Sequence, residues 1–228
     1  MRKAMLDALG AERQARRAVF VVTPLAEGEP RLVKAADIAG DPDAALLEAA
    51  LRDGRSRLVE DEKGARFIDA HLPEARMIVI GAVHISQMLY PMAIAAGYDV
   101  TIIDPRTAFA TPERFAGVRL VEQWPQDALE DAGLDRHTAM VALTHDPKID
   151  DPALIAALKA DCFYVGALGS RKTHGRRVER LKAGGIADDR ISSIHAPVGL
   201  DIGAVSPAEI AIAILAEITA VRRKGLPA

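Results

Sequence analysis

The segment from Arg76 to Asp104 constrains the fold more than any other part of this chain. Met77–Ile80 is a short apolar run that stops at Gly81, and His84–Ala96 carries Ile85, Met88, Leu89, Met92 and Ala96 at helical 3-4 spacing. Gly97 ends that helix, and Tyr98–Ile103 is a second aliphatic run closed by Asp104. A buried strand, a glycine turn, an amphipathic helix and a second strand predict a βαβ unit with a right-handed crossover, and hence parallel strands.

The same rhythm continues. Arg119–Val121, Ala139–Leu143 and Cys162–Val165 read as strands, with a short acidic helix after Pro125 and a helix over Asp151–Lys159. A basic helix covers Ser170–Ala183, and the last helix starts at Ser206, where Ser206-Pro207-Ala208-Glu209 fits a capping box. Residues 76–228 therefore predict an α/β fold: a Rossmann-like parallel sheet with helices on both faces. Aromatic residues are only 4% of a chain that is 50% apolar, which suits parallel strands built from aliphatic runs.

Residues 1–75 lack this alternation and read as a small N-terminal α+β domain. Met1–Arg17 is a polar helix candidate, and Ala18–Pro24 and Arg31–Ala35 are strands joined by the turn-prone Glu27-Gly28-Glu29-Pro30. Asp41-Pro42 predicts a helix start, with the acid as cap and the proline at the first helical position. Arg57–Glu60 and Arg66–Ala70 predict a hairpin, and Pro73 closes the unit.

A net charge of −3 offers no electrostatic footprint for nucleic acid. Cys162 is the single cysteine, which excludes an internal disulfide and a thiolate metal cluster; placed in an apolar strand, it reads as an inert thiol. The N-terminus has no apolar core of the secretory type, and the longest apolar run, Ile210–Val221, is interrupted by Glu217. The expectation is a soluble cytoplasmic protein with no membrane span.

Five places could carry binding chemistry. Gly81-Ala82-Val83-His84 lies where a dinucleotide fold makes its first phosphate contact, at a helix N-terminus, and Asp104 ends the second strand, where an acid commonly binds a ribose hydroxyl. The second glycine of that fingerprint is Val83, so a plain tight turn fits equally well. Arg106, close behind, leaves a 2′-phosphate possible. Thr144-His145-Asp146 follows a strand on the edge where open α/β sheets take ligands, with Asp146-Pro147 alternatively a simple turn. Gly166-Ala167-Leu168-Gly169-Ser170-Arg171 runs from a strand through glycines to a capping serine and a basic helix, a pattern that favours anion binding over a merely solvated face continued by Arg176, Arg177 and Arg180. His195 and Asp201 sit in a glycine-punctuated loop before the last helix. No catalytic triad or metal-type histidine pair stands out.

Taken together, Gly81–His84, Ala110–Phe115, Thr144–Lys148, Gly166–Arg171 and Gly199–Gly203 resemble the XdhC/CoxI family of accessory proteins, in order and over roughly Arg76–Arg223. The resemblance implies a non-catalytic chaperone that binds the molybdenum cofactor, as molybdopterin or its cytosine dinucleotide form. It implies support of cofactor sulfuration by a cysteine desulfurase and delivery to an apo molybdenum hydroxylase of the xanthine dehydrogenase or carbon monoxide dehydrogenase type, often as a homodimer. Two departures stand out. Val83 replaces a glycine usual in the family, and the N-terminal stretch lacks the family's common cysteine-bearing motif. The alternative function, from a different class, is an NAD(P)-binding oxidoreductase; Val83 and the lack of a Tyr-x-x-x-Lys proton donor count against it. A protein-interaction module on a dead nucleotide fold is the third.

Overall fold

The computed structural model describes residues 3–224. It divides into two compact units, one running to Pro73 and the other beginning at Glu74.

The first unit contains α1 (Lys3–Gln14), β1 (Val19–Pro24), β2 (Arg31–Lys34), a 3₁₀ turn (Ala35–Gly40), α2 (Ala44–Asp53), β3 (Arg57–Val59) and β4 (Arg66–His71). Its four strands form an antiparallel sheet in the order β2-β1-β4-β3. Successive residues of β1 point to opposite faces. Phe20 and Val22 therefore pack with Ile68, Leu47 and Ile38, while Val19 and Val21 pack with Leu9 of α1. The predicted hairpin forms between β3 and β4. Met1 and Arg2, part of the expected first helix, lie outside the described residues.

The helix expected at Asp41 starts instead at Ala44, and the 3₁₀ turn before it was not anticipated. Asp41 Oδ1 does accept the Asp43 N–H (2.8 Å), as a capping acid would, but residues 41–43 stay a turn. Arg31 grips both oxygens of Asp41 (3.0 and 2.8 Å), Arg66 grips both of Asp43 (3.1 and 2.6 Å), and Asp43, directly before the helix, makes no side-chain cap. Burial alone would raise the Asp43 pKa, but the hydrogen bonds from Arg66 and Arg31 outweigh it and hold the carboxyl below the ordinary range.

The second unit contains β5 (Arg76–Ile80), α3 (His84–Ala95), β6 (Asp99–Ile103), β7 (Arg119–Val121), α4 (Pro125–Ala132), β8 (Thr138–Ala142), α5 (Pro147–Lys159), β9 (Tyr164–Ala167), α6 (Arg171–Ala183), α7 (Asp188–Ser192) and α8 (Pro207–Lys224). The strands are all parallel, in the order β7-β6-β5-β8-β9. This is a Rossmann-like sheet with helices on both faces. The alternation of β5 divides the core: Met77 and Val79 face α3 and α8, whereas Ile78 and Ile80 face α4, α5 and α6.

Beyond shifts of a residue or two at other ends, two boundaries and one further element of this unit differ from expectation. Helix α5 begins at Pro147, four residues before Asp151, because Asp146 caps it by accepting the Lys148 N–H (2.9 Å). Strand β9 begins at Tyr164, so Cys162 lies just before the strand, half-buried, and burial pushes its thiol up to about 12. The short helix α7 fills a stretch that carried no expected element. Ser206 and Glu209 do form the expected reciprocal cap of α8 (3.3 and 2.8 Å). Among the described residues no helix is long and apolar enough to cross a membrane.

Candidate functional site at the carboxyl edge of the parallel sheet

The central strands β5 and β8 run out side by side, and the turns that follow them pack directly on one another. Gly81 has φ of 112°, and a Cβ there would come within 2.7 Å of the Thr144 methyl. Glycine at this turn is therefore demanded by backbone conformation and by the closeness of the β8–α5 turn.

The N–H groups of the β5–α3 turn are satisfied from within. Ala82 donates to Asp104 (2.7 Å), and Val83 donates to Ser86 Oγ (2.8 Å), whose hydroxyl donates back to the Gly81 carbonyl (2.7 Å). Asp104 is fully buried, and its oxygens also accept from the Arg106 backbone N–H (2.9 Å) and from its guanidinium (2.9 and 2.7 Å). Burial would raise its pKa, but Arg106 and the Ala82 N–H hold it below the ordinary range. Asp104 thus staples the end of β6 to the first turn, and Arg106 covers it. His84 is exposed.

The β8–α5 turn is built around a buried acid that the sequence did not single out. Asp150 accepts from Thr144 Oγ1 (2.7 Å) and from the His145 N–H (3.0 Å). Those bonds hold His145 in the left-handed region at φ of 64°, an uncommon conformation for a non-glycine residue, with its side chain exposed. Asp146 donates its N–H to Thr144 Oγ1 (3.1 Å) and caps α5. Burial pushes the Asp150 pKa up, against the hydrogen bonds from Thr144 and the charge of Arg177.

The β9–α6 turn lies against the same place. A Cβ on Gly169, which has φ of 128°, would sit 3.6 Å from His145 Nδ1. Ser170 caps α6 by accepting the Thr173 N–H (3.3 Å), whereas Arg171 is exposed on the helix surface. Gly166 lies deeper and serves packing: a Cβ there would meet Val198 at 2.6 Å and the Tyr164 ring at 2.7 Å.

His195 stands apart from this group, on the far side of β9. It forms a one-residue parallel bridge with Gly166 and stacks on Tyr164, centroids 4.6 Å apart. Glu217 of α8 ties this corner together, accepting from Tyr164 Oη (2.5 Å) and the Gly199 N–H (2.9 Å) with His195 Nδ1 at 3.3 Å. Burial and the Glu217 carboxylate push the Tyr164 pKa well up. Asp201 is exposed in the loop beyond.

The structure thus gathers Gly81–Val83, Asp104, Arg106, Thr144–Asp146, Gly169 and Ser170 along one edge, while His195 pairs with the carboxyl end of the outer strand β9 and Asp201 is exposed in the loop after it. Sequence reasoning missed Ser86, Asp150, Arg177, Tyr164 and Glu217. The lone acid within the apolar run Ile210–Val221 was the available signal for Glu217.

A five-stranded parallel sheet flanked by helices, with its connecting turns converging at the carboxyl edge, defines a Rossmann-type domain. Residues 77–218 match the family model described as the XdhC Rossmann domain, and the chain belongs to the XdhC family. It is 33% identical over 150 residues to the "Molybdenum cofactor insertion chaperone PaoD" of Escherichia coli (strain K12), covering 66% of this chain and 41% of that protein. It is 31% identical over 165 residues to a probable xanthine dehydrogenase subunit of Bacillus subtilis (strain 168), covering 72% of this chain and 48% of that protein. The chain therefore spans less than half the length of these two relatives. A solved xanthine dehydrogenase structure from Bacillus halodurans shares the fold with a TM-score of 0.66 at 23% identity, covering 96% of this chain and 63% of that one.

Proposed function

We propose that this protein is a non-catalytic accessory factor that binds the molybdenum cofactor and assists its insertion into a molybdenum hydroxylase. Membership of the XdhC family and the likeness to a cofactor insertion chaperone support the class. The observation that carries the reading is the exposed His145, locked in a left-handed turn by Asp150 and abutting Gly169 at the carboxyl edge of the sheet. A strained, solvent-facing polar residue at this edge is where a ligand contact is expected.

The residues present fit a phosphate-bearing pterin better than a nicotinamide dinucleotide. Asp104 is buried and fully engaged with Ala82 and Arg106, so it presents no free oxygen to a ribose. Val83 adds a side chain at the close-approach position of the first turn. Arg106, His145, Gly169 and Ser170 would hold the cofactor, with Gly81–His84 forming the neighbouring wall. The cofactor brings its own redox chemistry; this chain's part is to bind, orient and shield it.

In the fuller form of the reading, the protein acts as a homodimer and holds molybdopterin or its cytosine dinucleotide form during sulfuration by a cysteine desulfurase. It then passes the cofactor to a hydroxylase of the xanthine dehydrogenase or carbon monoxide dehydrogenase type, in the cytoplasm. Equilibrium binding of both cofactor forms to the wild-type chain and to His145→Ala tests it. Saturable binding weakened about tenfold or more by the substitution is expected, the loss of one charge-assisted hydrogen bond. Binding of neither form would contradict the reading.

A further inference from the structure

Arg177 is 2% exposed, yet it has no full set of partners. Its Nη2 donates to the Leu168 carbonyl (3.0 Å), holding the β9–α6 turn, and lies 3.9 Å from Asp150. Its Nε and Nη1 are buried without a hydrogen-bond partner. Buried donors are paired in the great majority of cases, and an unpaired one calls for a missing ion or water. The cost is larger for a cation, and burial pushes the Arg177 pKa down, against the attraction of Asp150 and Asp151.

Arg177 also forms part of the wall of a partly open cleft of about 170 Å³ between α5 and α6. The other walls include His145, Thr173, Arg176 and Arg180, with the acids Asp150 and Asp151. The acids are already engaged: Asp151 with Arg180 (3.1 Å) and Asp150 with Thr144 and the His145 N–H. Arg176 is exposed and carries no ion pair or side-chain hydrogen bond among the described residues. Three guanidinium groups against two paired carboxylates leave an excess positive charge at a place too small for a nucleotide.

We infer that this cleft is a binding site for one tetrahedral oxyanion of the phosphate-monoester class, held by Arg177 and Arg176 with Thr173 and His145 at its rim. The guanidinium fork suits such a group because its N–H donors match oxygens spaced on a tetrahedron. The inference rests on the unpaired donors of Arg177 and stands whether or not the carboxyl edge holds a pterin. The terminal phosphate of a larger ligand and free phosphate share this chemistry.

Titration of the full chain with inorganic phosphate, followed by nuclear magnetic resonance at constant ionic strength with chloride as the control, tests it. Saturable shifts at Thr173, Arg176, Arg177 and the His145 turn are expected. Arg176→Ala, at an exposed position that leaves the fold intact, should weaken binding about tenfold. Arg177→Met should abolish it, with the wild-type spectrum elsewhere as the check on folding. A phosphomonoester competing better than phosphate would identify the terminus of a larger ligand as the source; equal competition would point to the free ion. Unsaturable shifts confined to Arg171 and Lys172, shifts reproduced by chloride, or wild-type affinity in Arg176→Ala would overturn the inference, leaving an ordered water on Arg177.

Discussion

At the scale of single residues, the glycines of the second unit do two different jobs. Gly81 and Gly169 occupy left-handed turns, whereas Gly166 is required by volume alone, because Val198 and Tyr164 already fill the space a Cβ would take. Overpacking of this kind costs about 1–3 kcal/mol, so Gly166→Ala should lower the stability read from urea unfolding by that amount without removing His145 from its turn. An unchanged midpoint would mean that the Tyr164–His195 corner yields freely. Cys162 is a second case. Its thiol is pushed up to about 12 by burial first and by nearby Asp135 and Asp161 next, so almost none of it is thiolate at neutral pH. Alkylation by iodoacetamide should be slow in the native chain and accelerate sharply in urea. Rapid native labelling would show an activated cysteine. The sequence marks the glycines and the cysteine plainly, but it cannot separate a glycine needed for its backbone from one needed for its emptiness.

At the scale of elements, period and punctuation foretell most of the second unit. The aliphatic runs became β5, β6, β8 and β9, and the Ser206–Glu209 cap starts α8 where expected. What failed were assignments that depend on a distant partner. Asp41 accepts the Asp43 N–H as a cap would, but Arg31 also clamps it from ten residues away, and the helix starts only at Ala44. Asp150 and Arg177 lie inside helices that carry several other charges, most of them exposed, and nothing local marks these two as buried. The ion pairs of the first unit carry a pH dependence. Glu12 is held down to about 2 by hydrogen bonds from Arg17 and Lys34, against an ordinary value of 4.5, and Asp61 to about 2 by Arg66, against 3.8. Both values are depressed by folding, so their stabilisation is complete above pH 4.5 and is lost as pH falls toward 2. Amide protection in β1, β2 and β4 should decline across that window in hydrogen-exchange measurements. Protection that persists undiminished to pH 2 would refute the pairing.

At the scale of the whole molecule, the sheet order places the binding turns where a parallel α/β sheet takes its ligands, and that much follows from the sequence. The site itself was only partly legible. Gly81, Thr144, His145 and Gly169 were visible because turn chemistry is local, and the structure brings them together. Asp104 reads as a ribose ligand from its place after β6, and in the fold its oxygens accept from the Ala82 N–H and Arg106, a pairing that spacing alone does not reveal. His195 sits beside β9, paired with Gly166 and tied to Glu217 of α8, an arrangement that no local pattern around it announces. The central claim is that this edge holds a molybdenum cofactor rather than a nicotinamide dinucleotide. Native mass spectrometry of the intact chain, offered molybdopterin, its cytosine dinucleotide form and NADH in equal amounts, tests it most directly. The account predicts an adduct with the mass of a molybdenum-cofactor form and none with NADH; an NADH adduct without a pterin adduct would contradict it.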